Sequence, residues 1–510
     1  MARKRRVVAD EPARRRGGRG AGRVIEPMRR LFHVSISVVL LTVLAGCATN
    51  PATGKVQLAP LMSAEDEARE GAEAHPKIVE AYGGVYDDPR VGAYVAEVTA
   101  RIAKSAGGNG VTYRVTILNS PIVNAFALPG GYVYVTRGLL ALIDDEAELA
   151  GVIGHEIGHV IARHGAQRQT AALGASVVGA VLGAVVGSSA VGQAAGLGGE
   201  GLLAGYSRDQ EYEADALGVR YLAQAGYDPQ AEADFLQAMA DEQALNDRIK
   251  NRKRDTSTAD WLASHPATPD RVKAAREHAE ETGMAAGAGE RNRDALFRAV
   301  DGLIYGDAPE QGMVRGRRFV HPGWRIAFTA PPNYTVTNAA KAVIVQGPDE
   351  AIVKFDTARK DSAVEIGAYL GSVWAAGVEL SKIDRYQLNG MPAAEATTKA
   401  GKYNVRLVAV EALPDKVYRF LMGVPPSVGT RQDGALRELV QSFHRLSEAE
   451  ARAAKPLRLR IVTVARGETA ETLGTRMEFA DFRTERFRAL NGLRAGEQPR
   501  PGTKVKIVSE

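Results

Sequence analysis

One five-residue segment constrains this chain more than any other stretch. Residues 155–159 read His-Glu-Ile-Gly-His, which is the H-E-x-x-H pattern of a helix that carries two zinc ligands and a general base. Histidines four positions apart lie on the same face of an α-helix, so both imidazoles can reach one metal ion. Glu156, beside the first histidine, can contact a metal-bound water without being a ligand itself. The segment therefore predicts a catalytic metal site on a helix.

The residues around this segment predict the helix that carries it. Apolar residues recur at helical spacing from Leu149 to Ile161, and Asp145 with Glu148 forms a capping-box-like pair at the start. We therefore expect a helix over residues 145–166. The alternative is a pair of core histidines in an amphipathic helix, but buried imidazoles and a buried carboxylate are costly without a metal.

A second segment supplies a candidate third ligand. Ser207 and Gln210 form a capping box, and we expect a helix over residues 208–225. Glu211 and Asp215 share the apolar face of this helix, and carboxylates on a buried face need partners. A metal would satisfy Glu211, and a ligand histidine could donate its second N–H to Asp215. The alternative, an ordinary acidic face in solvent, fits the apolar neighbours poorly.

Two other polar residues near these motifs are expected away from the metal. His164 lies roughly 140° around the first helix from His159, so we expect it at the surface or in contact with a ligand. Glu213 is predicted to point away from the buried face of its helix, on the side of Arg220 and Gln224.

Several segments together resemble the HtpX/BepA family of gluzincin metallopeptidases, which also includes the CAAX prenyl proteases. They are Asn124–Gly131 (Asn-Ala-Phe-Ala-Leu-Pro-Gly-Gly), His155–His159 and Glu211–Asp215. Tyr82–Pro89 resembles the periplasmic, BepA-like branch. The resemblance covers about residues 60–275 and implies a mostly α-helical zincin domain with a small edge-strand sheet.

The resemblance also implies roles for individual residues. His155, His159 and Glu211 would bind one Zn²⁺ per chain, Glu156 would be the general base, and Asp215 would support a ligand. Three protein ligands leave one coordination position for water, as in catalytic zinc sites. The predicted activity is that of a metalloendopeptidase, which hydrolyses peptide bonds with zinc-activated water.

His265 is a weaker candidate for the same site. Ser264-His265-Pro266 is followed by Thr268 and Pro269, an N-cap with proline at the first helical position. The BepA-like branch has a His-Pro at this place, whose histidine can approach the metal and restrain activity. His265 is therefore expected as a regulatory fourth ligand or a donor to the oxyanion, with a plain loop histidine as the alternative.

The substrate is predicted from main-chain pairing. We expect the strand around Tyr132–Val135 to be an edge to which an extended substrate adds. Such pairing tolerates many sequences, so unfolded or misfolded cell-envelope proteins are the predicted substrates. The rival interpretation is a periplasmic chaperone or assembly lipoprotein that binds outer-membrane protein clients or peptidoglycan without cleavage.

The start of the chain predicts export and lipid attachment. Residues 1–27 are rich in arginine and glycine and read as disordered, and Met28 stands where a normal start would be. Residues 28–46 combine basic residues with a short apolar stretch, and Leu-Ala-Gly before Cys47 resembles a lipobox. A lipid on Cys47 would anchor the protein at the periplasmic face of the outer membrane. A transmembrane anchor is the alternative, but the apolar stretch is shorter than the ~20 residues that a spanning helix needs.

The charge distribution argues against a nucleic-acid partner. The chain has 65 Lys and Arg against 60 Asp and Glu, a net charge of +5. Residues 1–30 hold 11 basic and 3 acidic residues, a net of +8, so the remainder carries 5 − 8 = −3. Cys47 is the only cysteine, which excludes an intramolecular disulfide.

The rest of the chain predicts a multidomain protein. After a peptidase domain over 47–275 we expect a connector over 276–310, a small α+β domain over 311–446 and a strand–helix–helix–strand domain over 455–510. Residues 169–199 have no charged side chain and are expected to form a helical hairpin over the active site or to insert into a membrane.

The C-terminal domain resembles a LysM module, which implies peptidoglycan binding through residues 455–510. Ala470 stands where many such modules have a larger apolar residue, so packing without sugar binding is the alternative.

Overall fold

The computed structural model of the chain describes residues 47–58, 62–107, 110–170, 205–250, 265–413, 415–428 and 430–510. The chain divides into two compact units, Met1–Pro60 and Leu61–Glu510. In the first unit, β1 (Cys47–Thr49) and β2 (Val56–Leu58) form an antiparallel pair. The predicted leader and signal peptide lie outside the described residues, as do residues 171–199 of the predicted lid or membrane segment.

The first half of the second unit is mainly helical. Besides the helical stretch at 164–170, the helices among its described residues are α1 (Ala64–Ala81), α2 (Pro89–Ser105), α3 (Arg137–Leu142), α4 (Glu146–Ile161), α5 (Arg208–Gln224), α6 (Ala231–Lys250), α7 (Pro269–Glu281) and α8 (Arg293–Val300). None of the helices in the described part of the chain has the length and apolar character needed to cross a membrane.

Helix α4 is the buried centre of this half. Its N-cap is Asp145, whose side chain accepts a hydrogen bond from the Glu148 N–H, as predicted. The Glu148 carboxylate accepts from the Asp144 N–H rather than from the cap residue. The predicted end at 166 is wrong, because α4 ends at Ile161 and Arg163 has a left-handed φ of 58°. The chain turns there, and residues 164–170 are helical in a new direction.

Helix α5 packs closely against α4 because both helices carry glycine where they cross. A Cβ on Gly218 would lie only 3.1 Å from the main-chain N of His155, and one on Gly154 would lie 3.3 Å from the Gly218 Cα. The predicted capping box of Ser207 and Gln210 begins α5. The short interhelical distance brings the buried face of α5 to the histidines of α4.

A three-stranded sheet lies beside α4, in the order β3 (Arg114–Leu118), β5 (Tyr132–Thr136), β4 (Ala125–Leu128). β5 pairs in parallel with β3 and antiparallel with β4. The prediction of an edge strand at Tyr132–Val135 is therefore wrong, because β5 is central. The hairpin of β4 and β5 folds the upstream Ala-Phe-Ala-Leu segment onto the outer side of β5.

The next part of the chain, through 446, is built mainly of antiparallel sheets. A seven-stranded sheet has the order β10 (Thr335–Ala339), β11 (Ala342–Gln346), β12 (Ile352–Arg359), β16 (Lys416–Val424), β15 (Tyr403–Leu413), β14 (Met391–Ala400), β13 (Asp384–Leu388). The predicted hairpin is the β11–β12 pair.

A smaller sheet and short helices complete this region. The sheet has four strands in the order β17 (His444–Arg445), β9 (Ile326–Thr329), β8 (Arg318–His321), β7 (Met313–Arg315). The helices are α9 (Ile366–Ala368), which continues as a π-helix over Tyr369–Trp374, and α10 (Asp433–Gln441). Phe328, Phe355 and Phe420 form the centre of the hydrophobic core of this region.

One core histidine of this region makes its stability depend on pH. His321 is buried and stacks on Trp324 at 3.8 Å between ring centroids, and its Nδ1 accepts a hydrogen bond from the Trp324 N–H. Burial lowers the pKa of His321 to about 4, so the unfolded chain takes up a proton first as pH falls from about 6.5 to 4. This difference in proton uptake destabilises the folded state in that pH range.

We therefore expect His321→Asn, which keeps a hydrogen-bond acceptor near the Nδ1 position, to reduce the acid sensitivity of this region. Between pH 7 and pH 4.5 the wild type should lose about 2 kcal/mol more unfolding free energy than the variant. Urea titrations followed by tryptophan fluorescence at both pH values measure the difference. Equal losses in the two proteins would contradict the assignment.

The C-terminal segment begins with a short helix and continues in the order strand, helix, helix, strand. It consists of α11 (Glu448–Ala453), β18 (Leu457–Thr463), α12 (Ala470–Gly474), α13 (Arg483–Leu490) and β19 (Lys504–Ser509), and β18 also pairs with β6 (Ile304–Tyr305). Lys506 of β19 is fully buried and donates to the carbonyls of Ala141, Leu142 and Ile143 at the end of α3. The segment is thus anchored just before the start of α4.

Candidate metal centre

Helices α4 and α5 bring the predicted ligand residues together in the interior. The Nε2 atoms of His155 and His159 are 3.0 Å apart. The carboxylate of Glu211 lies 3.7 Å from His155 Nε2 and 3.6 Å from His159 Nε2. His265 joins them, with its Nδ1 3.3 Å from His155 Nε2 and 2.9 Å from Glu211 Oε1. All four side chains are buried, and each offers one ligand atom to a common point.

The spacing of these four ligand atoms fits a tetrahedral metal. Ligands at ~2.0–2.1 Å from one ion in tetrahedral geometry lie roughly 3.3 Å from each other. The separations in the cluster, from 2.9 to 3.7 Å, bracket that value. Imidazole nitrogen and carboxylate oxygen are also the ligand types that zinc and other first-row transition metals accept. The residues present therefore fit a divalent metal ion.

Glu156 lies next to this cluster rather than in it. Its side chain is buried on α4, and its Oε1 is 3.7 Å from His265 Nε2. Glu156 and His265 thus approach each other beside the four candidate ligand atoms. Such a position suits a group that exchanges a proton with a bound molecule.

Asp215 and Arg271 form a buried ion pair behind the cluster. Asp215 Oδ1 is 2.9 Å from His155 Nδ1, so the carboxylate orients that imidazole. Arg271 of α7 donates to both oxygens of Asp215 at 2.7 and 2.8 Å and lies 2.8 Å from Glu211 Oε2. Burial alone would raise the pKa of Asp215, but Arg271 and His155 outweigh burial and lower it to about 2.

The pKa values of the two α4 histidines are shifted in opposite directions by their surroundings. Burial disfavours the charged form of both imidazoles, and it holds the pKa of His159 well below its usual range. For His155 the contact with Asp215 outweighs burial and raises the pKa to about 9. Burial also raises the pKa of Glu232 of α6, which is 4.0 Å from His155 Nδ1, to about 8.

His164 lies inside the site and not at the surface. It is buried, and its Nδ1 is 2.8 Å from His159 Nδ1 while its Nε2 is 3.1 Å from Glu213 Oε2. The left-handed turn at Arg163 brings it back toward α5. The expectation that Glu213 points away from the site is therefore wrong, because the turn at Arg163 brings His164 into contact with the Glu213 carboxylate. The alternative expectation for His164, contact with a candidate ligand, agrees with its position.

Tyr206 packs on the ring of His159. The two rings stack with centroids 3.8 Å apart and an angle of 17° between their planes. The guanidinium of Arg168 lies over the ring of Tyr206, 4.7 Å from its centroid. Tyr206 directly precedes the Ser207 cap of α5, so the start of that helix sets its position.

Three residues of the site were not found from the sequence, although two had a signal. Arg271 shares a helical face with Ala275 and Ala279, which are all buried. Glu232 likewise precedes Leu236 and Met239 at helical spacing. A charge on an apolar helix face indicates a buried partner. Tyr206 carries no such signal, because it precedes the helix.

The contact between His159 and His164 leads to a prediction about metal affinity. If His159 presents Nε2 to the metal, its proton is on Nδ1 and is donated to His164, which in turn donates to Glu213. His164→Leu removes this chain and should weaken zinc binding by roughly 10–100-fold. His164→Gln, which can still accept from His159, should recover part of the loss.

Competition with a chromophoric zinc chelator measures this affinity. Glu97, an exposed glutamate of α2, provides the matched control, since Glu97→Gln should leave zinc affinity within about twofold. Unchanged affinity in His164→Leu would contradict a role for His164 in holding His159.

Comparison with known proteins agrees with these motifs. Residues 89–279 match the model of Peptidase family M48. The chain is 35% identical over 164 residues to "Mitochondrial metalloendopeptidase OMA1" of Arabidopsis thaliana, which covers 32% of this chain and 31% of that protein. It is 31% identical over 203 residues to "Beta-barrel assembly-enhancing protease" of Yersinia pestis, covering 38% and 40%.

The protein of that name from Escherichia coli K12 is also 31% identical, over 206 residues and with the same coverage. The chain thus spans about a third to two fifths of the length of these relatives. The matches confirm the family resemblance drawn from the segments at 124, 155 and 211, and the match to the family model ends at residue 279, before the LysM-like part.

Proposed function

We propose, from the premise that residues 89–279 form a domain of peptidase family M48, that this chain is a zinc-dependent metalloendopeptidase. The observation that carries the proposal is the buried cluster of His155, His159, Glu211 and His265, with Glu156 beside it. The likeness to proteins named as metalloendopeptidases supports it.

Each residue of the cluster has a task in peptide hydrolysis. His155, His159 and Glu211 would hold the zinc ion, which when bound polarises the scissile carbonyl and acidifies a water molecule. Glu156 accepts the proton of the attacking water and delivers it to the leaving amine. Asp215, itself fixed by Arg271, keeps the imidazole of His155 in the orientation for binding.

His265 gives this centre a closed form. Its Nδ1 lies as near to Glu211 and His155 as a fourth ligand would, and a fourth protein ligand leaves no place for water. Displacement of the His265–Pro266 segment would open the position. His265 then either stays away from the zinc or donates a hydrogen bond to the oxyanion.

The substrate would pair with β4 rather than with β5. β4 lies at the end of its three-stranded sheet and packs against α4, and within the described residues it pairs only with β5. An extended polypeptide that adds to β4 is held by main-chain hydrogen bonds. Unfolded or misfolded proteins meet that requirement without a defined sequence.

We place this activity at the cell envelope. The lipobox-like sequence before Cys47 would attach the protein to the outer membrane on its periplasmic side, and two relatives are named for β-barrel assembly. Residues 455–510 would add a LysM-like module with peptidoglycan as its candidate ligand. Stalled or misfolded envelope proteins are then the substrates within reach.

Cleavage of a denatured protein tests the proposal. Purified protein should bind one zinc ion and degrade unfolded casein, lose the activity on treatment with 1,10-phenanthroline and regain it with added zinc. Binding of casein without any cleavage by zinc-loaded protein would favour the chaperone interpretation. Absence of bound zinc after incubation with the ion would refute the metal site.

A further inference from the structure

The two edges of the seven-stranded sheet differ in how they are protected. At one edge, Asp384 and Arg385 of β13 form ion pairs with Lys382 and Glu365. At the other edge, β10 reads Thr-Val-Thr-Asn-Ala and contains no charged residue. Charges on an edge strand are a common means of preventing another chain from pairing with it. β10 lacks this protection.

β10 forms one wall of a cavity of about 700 Å³. The other walls come from the mainly helical first half of the second unit, including Tyr82, Ile122 and Met239, and from Leu490 of the C-terminal segment. The residues of the metal cluster do not line it. Its volume lies within the ~300–1,000 Å³ that is usual for ligand sites. The cavity is therefore separate from the candidate active site.

The main chain of β10 can accept a further strand on the cavity side. β10 pairs with β11 alone, and outside that ladder residues 335–339 make no backbone hydrogen bond within the part of the chain that the structure describes. In antiparallel pairing, alternate residues direct N–H and C=O away from the neighbouring strand. Residues 336–339 of β10 line the cavity, and the side chain of Asn338 donates to the carbonyls of Gln311 and Gly312 beside it.

The charged groups of the cavity have partners within the protein. Arg137 donates to Asn119 Oδ1 at 2.7 Å and to the carbonyls of Ile304 and Gly306 at 2.6 and 3.1 Å. Asp307 accepts from the Val314 N–H at 2.8 Å. Glu242 and Arg486 also line the cavity, so its lining holds two basic and two acidic side chains and has no net formal charge.

We propose that β10 and this cavity form a second polypeptide-binding site, in which an extended, uncharged segment of an unfolded protein adds to the sheet as an eighth strand. The five residues of β10 would pair with about 17 Å of such a segment. The proposed occupant is a single extended strand, because residues from the helical half of the unit and from the C-terminal segment line the cavity beside this edge and leave room for one strand rather than a sheet.

The choice of a substrate protein as the occupant depends on the proposed function, whereas strand addition itself does not. A protease with this second site would hold an unfolded chain at a point remote from the bond that it cuts. Long unfolded substrates would then bind more tightly than short peptides, which can occupy the metal site alone.

A charge placed on β10 tests the proposal. Thr337 is exposed and lines the cavity, so Thr337→Lys adds a charge where the segment would pair. Gln387 is exposed on β13 at the opposite edge, and Gln387→Lys is the matched control. Both changes are made in a Glu156→Gln background, in which cleavage does not interfere, and binding of fluorescein-labelled, reduced and carboxymethylated α-lactalbumin is followed by anisotropy.

Thr337→Lys should raise the Kd for this unfolded protein at least tenfold, while Gln387→Lys should change it less than twofold. In proteins that retain Glu156, Thr337→Lys should cleave a short fluorogenic peptide as the parent does, which shows that the fold and the metal site are intact. Backbone amides of β10 should exchange hydrogen more slowly when the unfolded protein is bound.

Three results would overturn the proposal: an unchanged Kd in Thr337→Lys, equal weakening by both lysine variants, or unchanged amide exchange in β10. A parent that is dimeric in sedimentation and becomes monomeric in Thr337→Lys, with unchanged Kd, would instead identify a second copy as the occupant. If the parent binds as expected but no zinc-loaded protein cleaves any substrate, the second site stands and the proposed protease function fails.

Discussion

Glu156→Gln should lower kcat for hydrolysis of unfolded casein by roughly 10²–10⁴-fold while the protein keeps its fold and its bound zinc. Glutamine has nearly the same shape as glutamate but does not accept the proton of the attacking water. Glu156 is not among the four residues whose ligand atoms converge, so the metal should remain. Casein hydrolysis at saturating substrate, zinc content by atomic absorption and thermal unfolding measure the three quantities.

Glu97→Gln, which makes the same chemical change at an exposed position of α2, should leave kcat within about twofold of wild type. If Glu156→Gln retained its zinc and more than a tenth of the wild-type kcat, Glu156 would not be the general base. Loss of zinc from this variant would instead place its carboxylate among the ligands.

Arg271→Met should lower the unfolding free energy of the metal-free protein by about 3–5 kcal/mol. The substitution removes a buried cation that contacts Asp215 through two hydrogen bonds and Glu211 through an ion pair. Two buried carboxylates would then remain close to each other with less compensating charge. Breaking a buried pair on one side is costly because the remaining charge keeps the full cost of its lost hydration.

Chemical denaturation with a chelator present measures this loss. Arg276 is on the same helix but exposed, and Arg276→Met should change the unfolding free energy by less than about 0.5 kcal/mol. A loss of unfolding free energy below 1 kcal/mol in Arg271→Met would show that the ion pair contributes little to stability. Added zinc should reduce the loss, since a bound cation compensates Glu211.

The candidate site was predictable where its geometry is local. His155 and His159 share a helix face because they are one turn apart, and Glu211 with Asp215 repeats that relation on α5. Caps at Asp145 and Ser207 fix the starts of both helices within a few residues. Such features depend on neighbours within about four positions, which the sequence states directly.

Other features depended on groups distant in the chain. Arg271 meets Asp215 across 56 positions, and His164 reaches the site only because Arg163 takes a left-handed conformation. The sequence pattern of Tyr132–Val135 is that of a buried strand, but which strands pair with it is set by the path of the connecting chain. β5 is accordingly central, and β4 has the outer position.

The sequence by itself determined which reactive groups stand at helical spacings: two imidazoles, a candidate carboxylate ligand and a candidate base, with a signal-like segment before Cys47. Only the tertiary structure decided the position of His265 against Glu211, the partner of Asp215 and the free edge of each sheet. The physical reason is that periodicity fixes which side chains share a face. The partner of that face is chosen by the packing of the whole chain, through burial and charge pairing over long sequence separations.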